Sequence, residues 1–146
     1  RPPRSTLFPY TTLFRSPHKK GLLGHSDADV LLHALCDAIL GAAGLRDIGH
    51  YFSNKDIKWK NISSLVLLAE SFKLVKKQKL KIGNVDITVI LEEPKISPYI
   101  DQMKKNIAKT LGIRNTQISI KSTTAEGLGF IGKKQGCSAY AVCLLQ

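Results

Sequence analysis

Between Gly24 and Ala38 the chain sets two histidines, His25 and His33, and three aspartates, Asp27, Asp29 and Asp37, into a segment that otherwise reads as a buried helix. Asp29, His33 and Asp37 recur at every fourth residue, so on a helix they stack as one polar stripe on a single face. A neutral imidazole on a rigid helix is a preferred zinc ligand, and a carboxylate one turn away fixes its tautomer. His33 is therefore a candidate ligand with Asp37 behind it; the plainer alternative is a helical histidine satisfied in a core or an interface. His25 and Ser26 precede the helix, where unpaired backbone amides and the positive end of the dipole attract anions. A simple cap with an exposed histidine is the plainer alternative there. Thr123, Thr124 and Glu126 place two hydroxyls and a carboxylate within four residues, a set suited to phosphate oxygens and a hard divalent cation, or else a polar turn between strands. The glycines after them are not a Walker loop, because no Gly-Lys-Ser or Gly-Lys-Thr follows at the required spacing.

The elements that must position these groups follow from periodicity and punctuation. Ser26 and Asp27 are candidate caps for a helix over about 28–43, and Gly44 supplies its left-handed exit. Residues 46–56, rich in polar groups and turn formers, read as a functional loop. Ser63 or Ser64 opens a helix through about Lys77, with Leu65, Leu68, Phe72 and Val75 at helical spacing. The β-branched run Val85 to Leu91 is a strand ended by Glu92-Glu93-Pro94. Ser97 as N-cap and Pro98 at the first helical position start a helix with Ile100, Met103, Ile107 and Leu111 as its stripe. Ile118 to Ser122 and Cys137 to Leu145 complete the set as strands. The order predicts an α+β fold: a mixed sheet of the four-stranded type, with helices on one face in a ferredoxin-like layered architecture whose N-terminal strands are missing.

A chain of 146 residues is long enough for a sizeable core, and 43% hydrophobic with 23% charged residues fits a soluble globular protein. No apolar run is long enough to cross a bilayer, so no membrane partner is expected. The odd set Cys36, Cys137 and Cys143, all in apolar surroundings, suits reduced thiols in a cytosol-like compartment. The net charge of +11 raises a nucleic-acid reading, but the first 20 residues hold five basic side chains and no acid. Lys73, Lys76, Lys77 and Lys79 then read as a solvated helix face. An RNA-binding module also needs aromatic platforms on strands, where only Tyr140 is available, so no nucleic-acid partner is expected. Within residues 1–16 the triplet Thr6-Leu7-Phe8 returns as Thr12-Leu13-Phe14 in a Pro, Arg and Ser setting. That segment is read as non-native, and residues 17–146 as a single domain.

The separate signals coincide in one family. His25 to Ala38, Asp47-Ile48-Gly49, Asn84-Val85-Asp86, Pro94-Lys95 and Thr123 to Phe130 closely resemble 2-C-methyl-D-erythritol 2,4-cyclodiphosphate synthases, from about Lys20 to the C-terminus. The resemblance implies cyclisation of 4-diphosphocytidyl-2-C-methyl-D-erythritol 2-phosphate with release of CMP, in the non-mevalonate isoprenoid pathway. It also implies a homotrimer with sites between subunits, one zinc ion per site, a magnesium or manganese ion on the diphosphate, and a bacterial cytoplasm or a plastid. Carried over by residue, His33 matches a zinc ligand and Glu126 the residue facing the second cation; His25 and Thr124 match the pair supporting the transition state. Ser26, Asp47, Ile48, Gly49, Phe52, Ser53, Asn54, Lys55 and Asp56 match substrate contacts, those from Asp47 onward on the methylerythritol phosphate. Leu91, Lys95, Ile96, Ser97 and Thr123 match the cytidylyl pocket. Phe130 and Lys133 match further contacts, with lysine at 133 where arginine, whose guanidinium forks onto phosphate, is common. The family's first strand carries an Asp-x-His pair that completes the zinc set, and this sequence has none: the residue two before His18 is Ser16. The expectation is a chain that holds zinc poorly and turns over little, its alternative function being that of an inactive trimeric remnant that still binds CMP.

Overall fold

The structure, a computed structural model, describes residues 29–60 and 62–146. The segment 1–16, the proposed caps Ser26 and Asp27, and His18 and His25 lie outside the described residues.

Helix α1 (Asp29–Ala42) buries Leu31, Leu32, Leu35, Cys36, Ile39 and Leu40, the i, i+3, i+4 face its sequence offers. It ends as a Schellman turn: Gly44 N donates to Gly41 O and Leu45 N to Leu40 O, each at 2.9 Å, with Gly44 at φ 73°. A four-residue helix α2 (Ile48–Tyr51) stands inside the stretch expected to be loop. Ser63 caps α3 (Ser64–Lys76), its side chain accepting from Leu65 N. The buried face of α3 is Leu67, Leu68, Phe72 and Val75, with Leu65 only half-buried, because the face turns to meet α1 and α4 rather than the sheet alone.

Strand β1 (Ile82–Ile90) starts three residues earlier than its β-branched run suggests, since Ile82 and Asn84 pair with Leu145 and Leu144 of the last strand. Ser97 is not the cap expected of it: Ser97–Tyr99 form a 3-10 turn with Pro98 in its first positions, and α4 (Ile100–Leu111) begins only afterwards. Strand β2 (Ile118–Thr123), the short helix α5 (Gly129–Gly132) and strand β3 (Ser138–Leu145) complete the described chain.

Among the described residues the sheet has three strands in the order β2-β1-β3, the three that the sequence predicts. β1 runs parallel to β2 (Val85 opposite Ile118) and antiparallel to β3 (Ile87 opposite Ala141). The parallel pair needs a crossover, and α4 supplies it. Val85, Ile87, Val89, Ile118 and Ile120 point into a core shared with α1, α3 and α4. The opposite face carries the Lys121–Asp86 ion pair at 2.9 Å and the exposed row Tyr140, Val142 and Leu144. The helices thus lie on one face of a mixed sheet, as an α+β fold requires.

Burial pushes the Cys36 thiol from 9.0 up to about 12, against a weaker opposing pull from the Ser71 hydroxyl. The folded chain therefore holds this proton more tightly than the unfolded chain, a contribution fully present below pH 9.0 and lost as pH rises towards 12. Above pH 9 the stability of the wild type is expected to fall faster than that of Cys36→Ala, by about 1.4 kcal/mol per pH unit. Urea unfolding across that range checks it; parallel curves would contradict it.

Candidate functional site

Because β1 and β2 are parallel, they finish at the same edge of the sheet, where α/β folds place ligands. The segments leaving them face each other. Leu91, Glu92, Pro94, Lys95, Ile96 and Ser97 from the first and Ser122, Thr123 and Thr124 from the second line a cleft of about 250 Å³. Every residue assigned to a cytidylyl pocket is therefore in one place, joined by Thr124. Ile96 is buried, which anchors its wall in the core, while Lys95 and Ser97 are exposed above it.

Backbone and carboxylate contacts fix the two walls. Leu91 N donates to Thr123 O at 2.9 Å, and Ala125 N donates to Glu92 Oε1 at 2.6 Å. Lys134 reaches Glu93 at 2.7 Å, and that contact raises the lysine above its usual range, so the ammonium stays charged. Glu92 thus ties the first wall to the end of the second, and Glu93 ties it to the segment after α5 (Gly129–Gly132). Sequence reasoning missed this tethering by Glu92 and Glu93, since contacts across more than thirty residues leave no local pattern.

The loop after β2 turns tightly. Thr124 Oγ1 accepts from Glu126 N at 3.2 Å, and Glu126 adopts φ 55°, a left-handed conformation that costs a non-glycine residue about 1–2 kcal/mol. Gly127 and Gly129 continue it at φ 74° and 69°. Gly132 packs on the backbone of Gly127 so closely that a Cβ there would collide with it. This presents Thr124, Glu126, Phe130 and Lys133 on an exposed crest, with Phe130 against Gly136.

A second group lies on and after α1, which packs chiefly on α3 and on β3, the strand across β1 from β2. His33 is half-buried, its Nε2 3.5 Å from Ser64 Oγ, so a hydroxyl stands at the ring's edge. Five residues, 77–81, return the chain from α3 into β1, so Ser64 and His33 lie towards the end where β1 and β2 finish. Asp37 Oδ1 accepts from Ile48 N at 2.9 Å, which ties the Asp47-Ile48-Gly49 turn to α1. Phe52 is buried edge-on against Trp59, 4.8 Å between ring centroids. Ser53 and Asp56 cap successive turns through Lys55 N and Lys58 N, at 3.2 and 3.0 Å, and Asn54, Lys55 and Asp56 are exposed. Among the described residues no three His, Cys, Asp or Glu side chains gather as a metal site. His25 and Ser26 lie outside the described residues.

Residues 13–146 match the YgbB family. The chain belongs to this family. A YgbB-family relative from Syntrophomonas wolfei, named 2-C-methyl-D-erythritol 2,4-cyclodiphosphate synthase, is 54% identical over 130 residues, 89% of this chain and 83% of the relative. One of the same name from Clostridium botulinum strain Hall is 57% identical over 129 residues, 88% of this chain and 83% of its own. The IspF of Plasmodium falciparum, solved as a CDP complex, superposes with TM-score 0.71 at 41% identity over 84% of this chain and 73% of its own. The bifunctional IspDF of Campylobacter jejuni gives TM-score 0.84 at 42% identity over 90% of this chain, which spans only 36% of that longer protein. Membership of a family of isoprenoid-pathway lyases agrees with the resemblance carried by the motifs.

Proposed function

We propose that the cleft between residues 91–97 and 122–124 holds the cytidine diphosphate end of 4-diphosphocytidyl-2-C-methyl-D-erythritol 2-phosphate, which the site closes on itself. A 2-phosphate oxygen attacks the β-phosphorus, the bond from that phosphorus to the bridging oxygen of CMP breaks, and CMP leaves with the electron pair. The cyclic diphosphate is the other product. Such a displacement asks of the protein mainly positioning and charge stabilisation. The observation that carries the reading is the convergence of Lys95, Ser97 and Thr123 on one cleft, in a family with a member solved as a CDP complex.

In this reading Lys95 meets phosphate and Thr123 the cytidylyl group. Thr124 and His25 stabilise the charge that develops on the transferring phosphate, and Phe130 and Lys133 close over the substrate. Asp47, Ile48 and Gly49, with the 52–56 turns and Ser26, hold the methylerythritol phosphate. Glu126, an exposed carboxylate on the crest, suits a magnesium or manganese ion shared with the diphosphate, since such ions take one or two carboxylates plus substrate phosphates. There the ion would neutralise negative charge on the diphosphate.

The described residues do not by themselves fit zinc. Catalytic zinc takes three protein ligands, and among the described residues His33 is joined by no two others in such a group. An inactive trimeric remnant that still binds CMP is the second reading for the 146-residue chain.

The cleft lies where β1 and β2 finish, whereas residues 47–56 follow α1, which packs on β3 across β1 from β2; this lateral separation favours a site completed by a neighbouring copy. The exposed apolar row Tyr140, Val142 and Leu144, on a strand at the edge of the sheet among the described residues, supports the same homotrimer, as such rows mark interfaces. No described helix is long and apolar enough to cross a membrane, and a bacterial-type cytoplasmic setting goes with the family. Phosphorus NMR tests the reaction: a chain carrying a restored Asp-x-His strand is expected to convert the substrate to CMP and a cyclic diphosphate. Hydrolysis to a linear phosphate, or no CMP, would overturn it.

A further inference from the structure

Asp47 occupies the N-cap position of α2 with φ −73° and ψ 165°, yet its carboxylate makes no capping hydrogen bond. An aspartate there ordinarily folds back onto the amides of the first turn. The amide of Ile48 is instead taken from outside the turn, by Asp37 Oδ1 at 2.9 Å, eleven residues earlier on α1. A second clasp holds the same turn, Arg46 N donating to the Tyr51 hydroxyl at 3.3 Å. On the other side, a Cβ at Gly49 would come within 3.1 Å of Asp47 Oδ2, so the glycine keeps the space beside that carboxylate open. The helix is thus held at its start by a residue of another element, while the aspartate that could have held it is left unused by the turn.

We propose that Asp37 is a positioning residue for substrate: by holding the Ile48 amide it leaves the Asp47 carboxylate directed at the ligand's hydroxyl groups. This rests on the reading above that Asp47 meets the polyol phosphate part of the substrate. It differs from the expectation that Asp37 orients His33, because it acts through the Ile48 backbone and through Asp47. Asp37→Ala removes the acceptor, the Asp47 carboxylate turns back to cap α2, and the polyol end loses its partner. Asp37→Asn keeps an oxygen at the same place and retains most of the function.

Three measurements decide it. In the unliganded protein, amide exchange at Ile48 is expected to quicken about tenfold in Asp37→Ala, the effect of losing one charge-assisted hydrogen bond, and to stay near wild type in Asp37→Asn. By calorimetry, Asp37→Ala weakens binding of the diphosphocytidyl substrate about tenfold while CDP, which has no polyol, binds as before. In an Asp47→Ala background the further change Asp37→Ala adds nothing. A wild-type chain that fails to bind CDP overturns the functional reading itself. With CDP bound by the wild type, unchanged substrate affinity, an equal loss for CDP in Asp37→Ala, multiplying effects of the two substitutions, or unchanged Ile48 exchange would each overturn the role given to Asp37.

Discussion

A chain extended by a strand bearing Asp-x-His ahead of residue 17 is expected to bind zinc about 10⁴-fold more tightly than the 146-residue chain. Structural zinc sites reach about 10–16 kcal/mol with four ligands, so each ligand contributes about 3 kcal/mol, and two more correspond to about four decades. His33 is already set on a rigid helix whose neighbours Leu32 and Leu35 are fully buried, so the added ligands meet an imidazole that does not have to be ordered first. Metal analysis after dialysis is expected to find zinc near one per protomer in the extended chain and well below that in the short one. One tightly held zinc in the 146-residue chain would contradict the account of its ligand set.

Gly132→Ala is expected to cost about 3 kcal/mol or more and to cut activity of the extended chain at least about a hundredfold. The colliding atoms belong to the backbone of Gly127, which has no side-chain torsion with which to yield. The loop must then open between Gly127 and Gly132, which moves Glu126 and Lys133 on the crest and loads the Glu92 tether at Ala125. Gly136→Ala makes the useful comparison: its Cβ would come within 3.1 Å of the Phe130 ring, which is 60% exposed and free to swing. Thermal unfolding and turnover of the two variants are expected to separate them clearly, and equal effects would mean that the Gly127–Gly132 contact does not shape the site.

Much of this was legible in the chain because it is written locally. The apolar faces of α1 and α4, the serine ahead of α3 and the β-branched run of β1 each depend on neighbours within a turn or two. The start of β1 at Ile82 was not, since its extension through Gly83 and Asn84 depends on pairing with Leu144 and Leu145. Nor was the 3-10 turn at Ser97, where Pro98 favours the start of a helix but not its type. At the site, the resemblance assigned 91–97 and Thr123 to one pocket, and the structure brings 91–97 and 122–124 together around one cleft. The tether from Glu92 to Ala125 and the clasp from Asp37 to Ile48 lie beyond such reading, because a carboxylate's partner is set by how whole elements pack.

The central claim is that residues 91–97 and 122–124 form a cytidine diphosphate site independent of zinc. Calorimetric titration of the 146-residue chain with CDP, in the presence of a chelator, tests it most directly. Saturable binding that weakens about tenfold in Lys95→Ala is the predicted result, from loss of one ammonium contact to phosphate. No binding, or an affinity that Lys95→Ala and Thr123→Val both leave unchanged, would contradict it.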